Sequence, residues 1–291
     1  MTSIREQAIL LYDRYTHEHL DRRRLLREMT ALAGSVAAAE GLIGAIGASP
    51  AAATVVPADD KRLTVSRNSY PSAGKPLNAY VAQPRDNRKV RGAVFVIHEN
   101  RGLNAHIEDV TRRVALEGYV AVAPDFLSAQ GGTPGDPDKA REMIGRADYD
   151  LLLAQAVAML DRVREFGEGR AKAGALGFCW GGAFVDRLAV AAGNKLAAGV
   201  SYYGPAPAPP EAAKVQAAMM IHLAGNDARV NATALPWVEA LKAAGRQVEA
   251  FTYPGVEHAF NNDTSAERYD KAAADLAWAR TTAFLRRELD G

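Results

Sequence analysis

The chain has 291 residues, 48% of them hydrophobic, 24% charged and 7% aromatic, and that balance excludes disorder as the overall state because enough apolar surface can be buried. Lys plus Arg number 35 against 34 Asp plus Glu, a formal charge of +1, so no global field recruits nucleic acid or an anionic membrane. A single cysteine, Cys179, excludes an internal disulfide framework and any zinc site built on several thiolates.

Residues 1 to about 47 carry helical periodicity and no strand pattern. Ile9, Leu10, Tyr12 and Tyr15 recur at helix-compatible intervals, followed by Leu20, Leu25 and Leu26. Met29 to Ile46 is rich in Ala, Gly and Leu, and Ala48 to Val56 reads as a linker. The run Asp21-Arg22-Arg23-Arg24-Leu25-Leu26-Arg27 before small apolar residues looks like a twin-arginine export signal, with Ala51 to Ala53 as its cleavage region. A retained helical arm is favoured, because Glu40 interrupts the apolar region and a long polar segment containing His17 and His19 precedes the arginines. A retained arm implies a cytoplasmic protein, a cleaved one a periplasmic protein. No run reaches the roughly 18 to 20 apolar residues of a membrane span.

From Lys61 onward, short apolar runs alternate with helical patterns. The expected strands are Arg62–Ser66, Leu77–Ala82, Ala93–His98, Val120–Pro124, Gly174–Phe178, Ala197–Tyr203, Ala218–Ala224 and Val248–Tyr253. The first two alternate in polarity across a polar turn region, Ser69 to Gly74, and read as an antiparallel edge hairpin. The later runs suit strands covered on both faces. Helices are expected at Ile107–Glu117, Pro137–Gly145, Tyr149–Phe166, Ala183–Ala191, Ala234–Ala243 and Ser265–Glu288. This alternation implies a mostly parallel α/β sheet with right-handed crossovers. The chain thus divides into an arm and linker, residues 1–60, and a catalytic domain, residues 61–291.

Gly177-Phe178-Cys179-Trp180-Gly181-Gly182 follows an apolar run and precedes a helical one. It is the nucleophile turn G-x-S-x-G with cysteine in the serine position. Such a turn lifts the side chain above the sheet, and the N–H of Trp180 would open the helix toward a developing oxyanion. The plainer reading is a buried cysteine in a glycine-rich packing joint. Of six histidines, His17 and His19 fall in the arm, His98 ends a strand, His106 begins a helix and His222 lies inside an apolar run. Only His258 lies in a loop after a late strand, where the general base belongs. Asp227, in the turn Gly225-Asn226-Asp227, precedes it by one strand and completes the order nucleophile, acid, histidine. An Asp there is otherwise an ordinary turn residue. His98-Glu99-Asn100-Arg101-Gly102-Leu103 ends the run Ala93–Ile97, and Asn100 is the candidate second oxyanion donor. Glu99 reads as a surface or cap charge, or as a carboxylate that holds the thiol proton.

These residues resemble the dienelactone hydrolase family of α/β-hydrolases, which use a cysteine nucleophile. The resemblance runs from about Lys61 to Leu289. It rests on Val96-Ile97-His98-Glu99 with Gly102-Leu103-Asn104, on Gly118-Tyr119 leading to Ala123-Pro124-Asp125, and on the turn around Cys179. Ser201-Tyr202-Tyr203-Gly204, Gly225-Asn226-Asp227 and His258-Ala259-Phe260 complete it. The resemblance implies an α/β-hydrolase fold, a triad of Cys179, Asp227 and His258, Glu99 as partner of the resting thiol, and backbone N–H groups of Asn100 and Trp180 as oxyanion hole. It also implies two substrate-carboxylate arginines, one shortly after the Pro-Asp pair and one shortly after the histidine. Here Pro124-Asp125 is followed by Phe126-Leu127-Ser128-Ala129-Gln130, and His258 by Ala259-Phe260-Asn261-Asn262. A bidentate guanidinium contact is not replaced by Asn or Ala, so dienelactone itself is not the expected substrate. Arg101 could approach the pocket, or stay a solvated loop arginine.

The expectation is a hydrolase of a small ester or lactone with no cofactor or metal, no nucleic-acid or membrane partner, and a homodimer contact through the arm. Rival readings are a non-catalytic, redox-sensing protein on the same scaffold and a broader carboxylesterase. About 49 residues separate Asp125 from Gly174, too few for a lid domain there.

Overall fold

A computed structural model of the protein describes residues 3–18, 20–47, 54–86, 90–163 and 171–290. His19, the Ala51–Ala53 region and Arg164 to Phe166 lie outside them. Three helices open the described chain: α1 (Ile4–His17), α2 (Arg22–Ala33) and α3 (Val36–Ile46). Each starts on a side-chain cap, Ser3, Asp21 and Ser35, whose oxygens accept otherwise unpaired backbone N–H groups. Among the described residues no single helix is long and apolar enough to cross a membrane.

The rest forms one eight-stranded sheet in the order β1-β2-β4-β3-β5-β6-β7-β8. Its strands are β1 (Leu63–Ser72), β2 (Lys75–Pro84), β3 (Ala93–Ile97), β4 (Val120–Pro124), β5 (Ala173–Phe178), β6 (Ala198–Tyr202), β7 (Ala218–Ala224) and β8 (Val248–Tyr253). β1 and β2 are antiparallel and β2 pairs antiparallel with β4, while every pairing from β4 to β8 is parallel. The helices are α4 (Ala105–Leu116), α5 (Pro137–Gly145), α6 (Tyr149–Val163), α7 (Trp180–Ala192), α8 (Ala228–Ala243) and α9 (Lys271–Leu289).

Because side chains alternate along a strand, each apolar run feeds both faces. Phe95 and Ile97 join the cluster containing Leu160, Phe184 and Trp237 of α6, α7 and α8. Val94 and Val96 join the opposite cluster with Val110 of α4 and Phe284 of α9. The five strands β3 to β7 are buried along their whole length.

The hairpin extends further than its polarity pattern suggests. Ser69 to Ser72 pair with β2, and the reversal is only Ala73-Gly74, with φ of 45° and 77°, the left-handed pair of a tight two-residue hairpin turn. Helix starts also differ. α7 begins at Trp180 rather than Ala183, and α9 at Lys271 rather than Ser265, where Asp270 supplies the cap. α8 begins at Ala228 rather than Ala234 because Asp227 caps it, and Pro236 sits inside it.

Candidate active site

The centre lies at the carboxyl ends of β3, β5, β7 and β8, the side of a parallel sheet where ligands bind. Cys179 joins β5 directly to α7 with φ 54° and ψ −113°, outside the regions a side-chain-bearing residue ordinarily occupies. The surrounding glycines make that turn feasible. A Cβ on Gly177 would sit 2.2 Å from the Gly181 carbonyl oxygen, and one on Gly181 would sit 2.4 Å from that of Ile97. The Cys179 N–H donates to Tyr202 O at 2.9 Å, tying the turn to β6. Trp180 begins α7, so its N–H belongs to the first turn, whose amides lack intrahelical acceptors.

Asp227 serves two groups at once. Oδ1 accepts the Val230 N–H at 3.1 Å, capping α8, and Oδ2 meets His258 Nδ1 at 2.5 Å. Both residues are buried, and His258 Nε2 has no hydrogen-bond partner among the described residues. Burial alone would raise the Asp227 carboxyl, but the His258 charge, its hydrogen bond and the Val230 N–H hold it below the ordinary range. Burial alone would lower His258, yet negative charge on Cys179 and Asp227 raises it well above the usual histidine value. A ring nitrogen of His258, the Cys179 sulfur and a ring nitrogen of His17 all lie within 4.8 Å of one another.

Glu99 is buried at the end of β3. Its Oε2 accepts the Asn262 side-chain N–H at 3.0 Å, while Oε1 is unpartnered among the described residues. The carboxylate is therefore held by the loop after His258, and no hydrogen bond joins it to the thiol among the described residues. It stays close enough that Glu99 and Cys179, after burial itself, both push the buried Tyr203 hydroxyl further above its usual range. Asn100 follows Glu99, and its side-chain N–H donates to Thr16 O at 3.2 Å.

Three histidines are structural. His98 stacks on Trp180 with centroids 5.4 Å apart and accepts the Phe126 N–H at 3.3 Å, and burial lowers its pKa. His106 approaches Asp263 at 3.1 Å. His222 bonds the Thr281 and Tyr253 hydroxyls in the core, and burial pushes it down to about 3.

His17, at the end of α1, is the unexpected member. Its Nε2 stands 3.9 Å from Cys179 Sγ, and its ring meets the His258 ring edge-on at 5.0 Å between centroids. Burial and then the His258 charge lower its pKa well below the ordinary value, so the ring is neutral. The arm lies across the site. Tyr15 O accepts from Arg141 at 2.9 Å, and Arg268 pairs with Asp13 at 2.8 Å. Arg101 is no solvated loop residue: it bonds Asp138 at 2.7 Å and the Tyr12 hydroxyl at 3.2 Å. A cavity of about 730 Å³ separates Leu25 and Ile43 of the arm from Leu103 and His106 of the domain. Sequence periodicity marks α1 as a helix but carries no signal for where it docks. Tyr203 had one: it follows an apolar strand, with φ 39°, and packs edge-on against His258 at 5.0 Å.

Residues 77–289 match the dienelactone hydrolase family model. The chain belongs to the dienelactone hydrolase family. A protein of Escherichia coli strain K12 described as a candidate carboxymethylenebutenolidase is 31% identical over 248 residues, 80% of this chain and 90% of that one. The crystal structure of a candidate dienelactone hydrolase from Klebsiella pneumoniae superposes with a TM-score of 0.68 at 28% identity, covering 76% of this chain and 97% of its own. A fungal esterase from Rhizomucor miehei shares the fold at 13% identity and a TM-score of 0.62, covering 97% of this chain and 96% of its own. This dienelactone hydrolase homologue is a hydrolase acting on ester bonds.

Proposed function

We propose that this chain hydrolyses small esters or lactones through Cys179, His258 and Asp227. The carrying observation is the buried His258–Asp227 contact at 2.5 Å beside the strained turn of Cys179. Asp227 fixes the imidazole tautomer and stabilises the imidazolium. His258 Nε2, without another partner, takes the thiol proton, and the sulfur attacks the carbonyl. Backbone N–H groups of Asn100 and Trp180 receive the oxyanion, helped at Trp180 by the helix dipole. Collapse of the tetrahedral intermediate expels the alcohol, which takes the proton from His258, and leaves a thioester. A water deprotonated by His258 then releases the acid and restores the thiol. Glu99, held by Asn262, is the carboxyl group placed beside the thiol in this reading.

Neither the Pro124-Asp125 loop nor the turn after His258 supplies an arginine. Asp125 instead accepts the Leu127 and Thr133 N–H groups, at 3.0 and 2.8 Å, and braces its own loop. Arg101 and Arg268 are engaged by Asp138 and Asp13. The missing clamp arginines support an uncharged substrate over one carrying a carboxylate, with Arg229, whose charge reaches His17 and Asp227, the nearby cation left without an ion pair among the described residues. A panel of short aryl esters and lactones, run on wild type beside Cys179→Ala, tests the reading: turnover should vanish in the variant, and undiminished turnover would refute the nucleophile. Cys179→Ser should retain little, because serine's higher pKa leaves it poorly activated in a site built for a thiol.

A further inference from the structure

The three side chains that meet over the elbow form a donor set of which the hydrolytic reading uses only two members, leaving His17 unexplained. Cys179 offers a sulfur, and His17 and His258 each offer a ring nitrogen, all within 4.8 Å of one another. We propose that His17, Cys179 and His258 form a binding site for a borderline-soft divalent ion, zinc foremost, which shuts off hydrolysis and fastens the arm to the catalytic domain.

The geometry is close to what such an ion needs. Zn–S near 2.3 Å and Zn–N near 2.0–2.1 Å in a tetrahedron place sulfur and nitrogen about 3.6 Å apart. The Cys179–His17 separation is 3.9 Å, leaving about 0.3 Å to close on that distance. The other sulfur–nitrogen separation exceeds it by at most about 1.2 Å, and the nitrogen–nitrogen separation exceeds its own tetrahedral value of about 3.3 Å by at most about 1.5 Å. Thiolate and imidazole are the ligands that select zinc over magnesium or calcium.

Two further observations point to a ligand there. His258 is 2% exposed, and its Nε2 is buried without a hydrogen-bond partner among the described residues. Its other nitrogen is fixed by Asp227 at 2.5 Å. A carboxylate behind a histidine is the arrangement that orients metal-bound imidazoles and raises their basicity. Of the arginines near the site, Arg101 is paired with Asp138 and Arg268 with Asp13, while Arg229, whose charge reaches His17 and Asp227, has no ion pair among the described residues. The fourth position remains for water, as in three-ligand zinc sites.

Binding would displace to solvent the proton that Cys179 and His258 share, forming one Zn–S and two Zn–N bonds. Nucleophile and base would then be occupied together. Because His17 belongs to the arm and the other two ligands to the sheet, the ion would also cross-link the two regions. The site shares residues with the proposed triad but does not depend on it, since any buried thiol between two imidazoles offers the same donors.

The test uses the full chain. Zinc-loaded wild type examined by zinc X-ray absorption should show one sulfur and two imidazoles at the metal; fewer than two imidazoles, or no sulfur, overturns the site. Cobalt(II) should produce the near-ultraviolet thiolate charge-transfer band and the visible bands of a tetrahedral ion, with equimolar stoichiometry. Cys179→Ala should lose the near-ultraviolet band. His17→Gln should weaken cobalt affinity by about 100-fold or more, beyond the roughly 10–100-fold cost of losing an outer-shell partner. Equal affinity in His17→Gln, with wild-type circular dichroism, would also refute the proposal, and the absorption experiment needs no variant at all. Ester turnover that survives Cys179→Ala would strike the triad alone, because these spectra read the metal directly.

Discussion

The sheet and the arm are held in place by different physics. Strands β3 to β7 are buried at every position, and their side chains feed two large apolar clusters. The arm has a small apolar cluster of its own, built from residues such as Ile9, Leu25 and Met29. Its attachment to the domain is largely polar: Arg5 with Glu267, Arg22 with Asp138, Asp13 with Arg268, and the Ile46 carbonyl with the Ser265 hydroxyl. Apolar burial is insensitive to salt, whereas exposed ion pairs contribute about 0–1 kcal/mol each and are screened. The comparison teaches that a site built on a rigid floor has been given a ceiling whose seat can be loosened.

The predictions probe that division, beginning with the floor. Asp227→Asn should lower kcat by about 10⁴-fold, as loss of the correct imidazole tautomer does in a triad, with arm docking unchanged. Steady-state rates measure the first part and proteolysis of the arm the second. A smaller loss than tenfold would remove Asp227 from the mechanism. Gly177→Ala drives a Cβ into the Gly181 carbonyl and should cost about 4 kcal/mol or more, among the largest single-residue effects. Denaturant unfolding reports it, and a near-neutral result would mean that the elbow can relax.

Between these sits the buried carboxyl Asp186, which accepts from Ser201 Oγ at 3.0 Å and Trp237 Nε1 at 3.3 Å. Burial, only partly offset by those bonds and by Arg187, pushes its pKa up to about 7 from 3.8. The folded state thus binds more protons than the unfolded state between about pH 4 and 7. This group's contribution to stability is full below that window and falls as pH rises through it, by up to about 1.4 kcal/mol per unit. Asp186→Asn should remove that slope. Melting curves of the two proteins that run parallel from pH 4 to 7 would contradict the assignment.

The smallest expected effect belongs to the ceiling. Arg5→Gln removes the exposed ion pair between the arm and Glu267. It should lower stability by only about 1 kcal/mol, yet alkylation of Cys179 should quicken severalfold and lose its dependence on salt. If added salt alters alkylation equally in wild type and variant, the polar seat is not what holds the arm.

How far the sequence could be read follows the same boundary. The apolar runs from Ala93 to Ala224 announced buried parallel strands because strands covered on both faces have no polar side to hide them, whereas Val248–Tyr253, expected to be covered likewise, is a partly exposed edge strand. Cys179 was legible because a nucleophile turn needs glycines at fixed offsets, and His258 because it alone among the six histidines follows a late strand in a loop. Edges were less legible. Ser69 to Ser72 pair as strand although they are polar, since an edge strand has one solvated side. His17 was out of reach: it meets Cys179 from 162 positions away, and helical periodicity reports which face is apolar but not which surface it finds. Asn262 and Arg268 were missed for the same reason, because their partners Glu99 and Asp13 are distant in the chain.

One consequence of the arm's seat concerns time rather than energy. Arg5 binds Glu267, 262 positions later, and Ile46 binds Ser265, 219 positions later. At ribosomal rates of roughly 5–20 residues per second, the partners of the first helix emerge roughly 13 to 52 s after it does. Until Ser265, Glu267 and Arg268 emerge, the opening helices can be held on the domain only through earlier partners such as Asn100, Arg101, Asp138 and Arg141, so their seat is completed after the β3-to-β6 portion of the sheet has been made. The surface that ends up over the nucleophile is therefore withdrawn from solvent in stages, and fully only after the sheet beneath it.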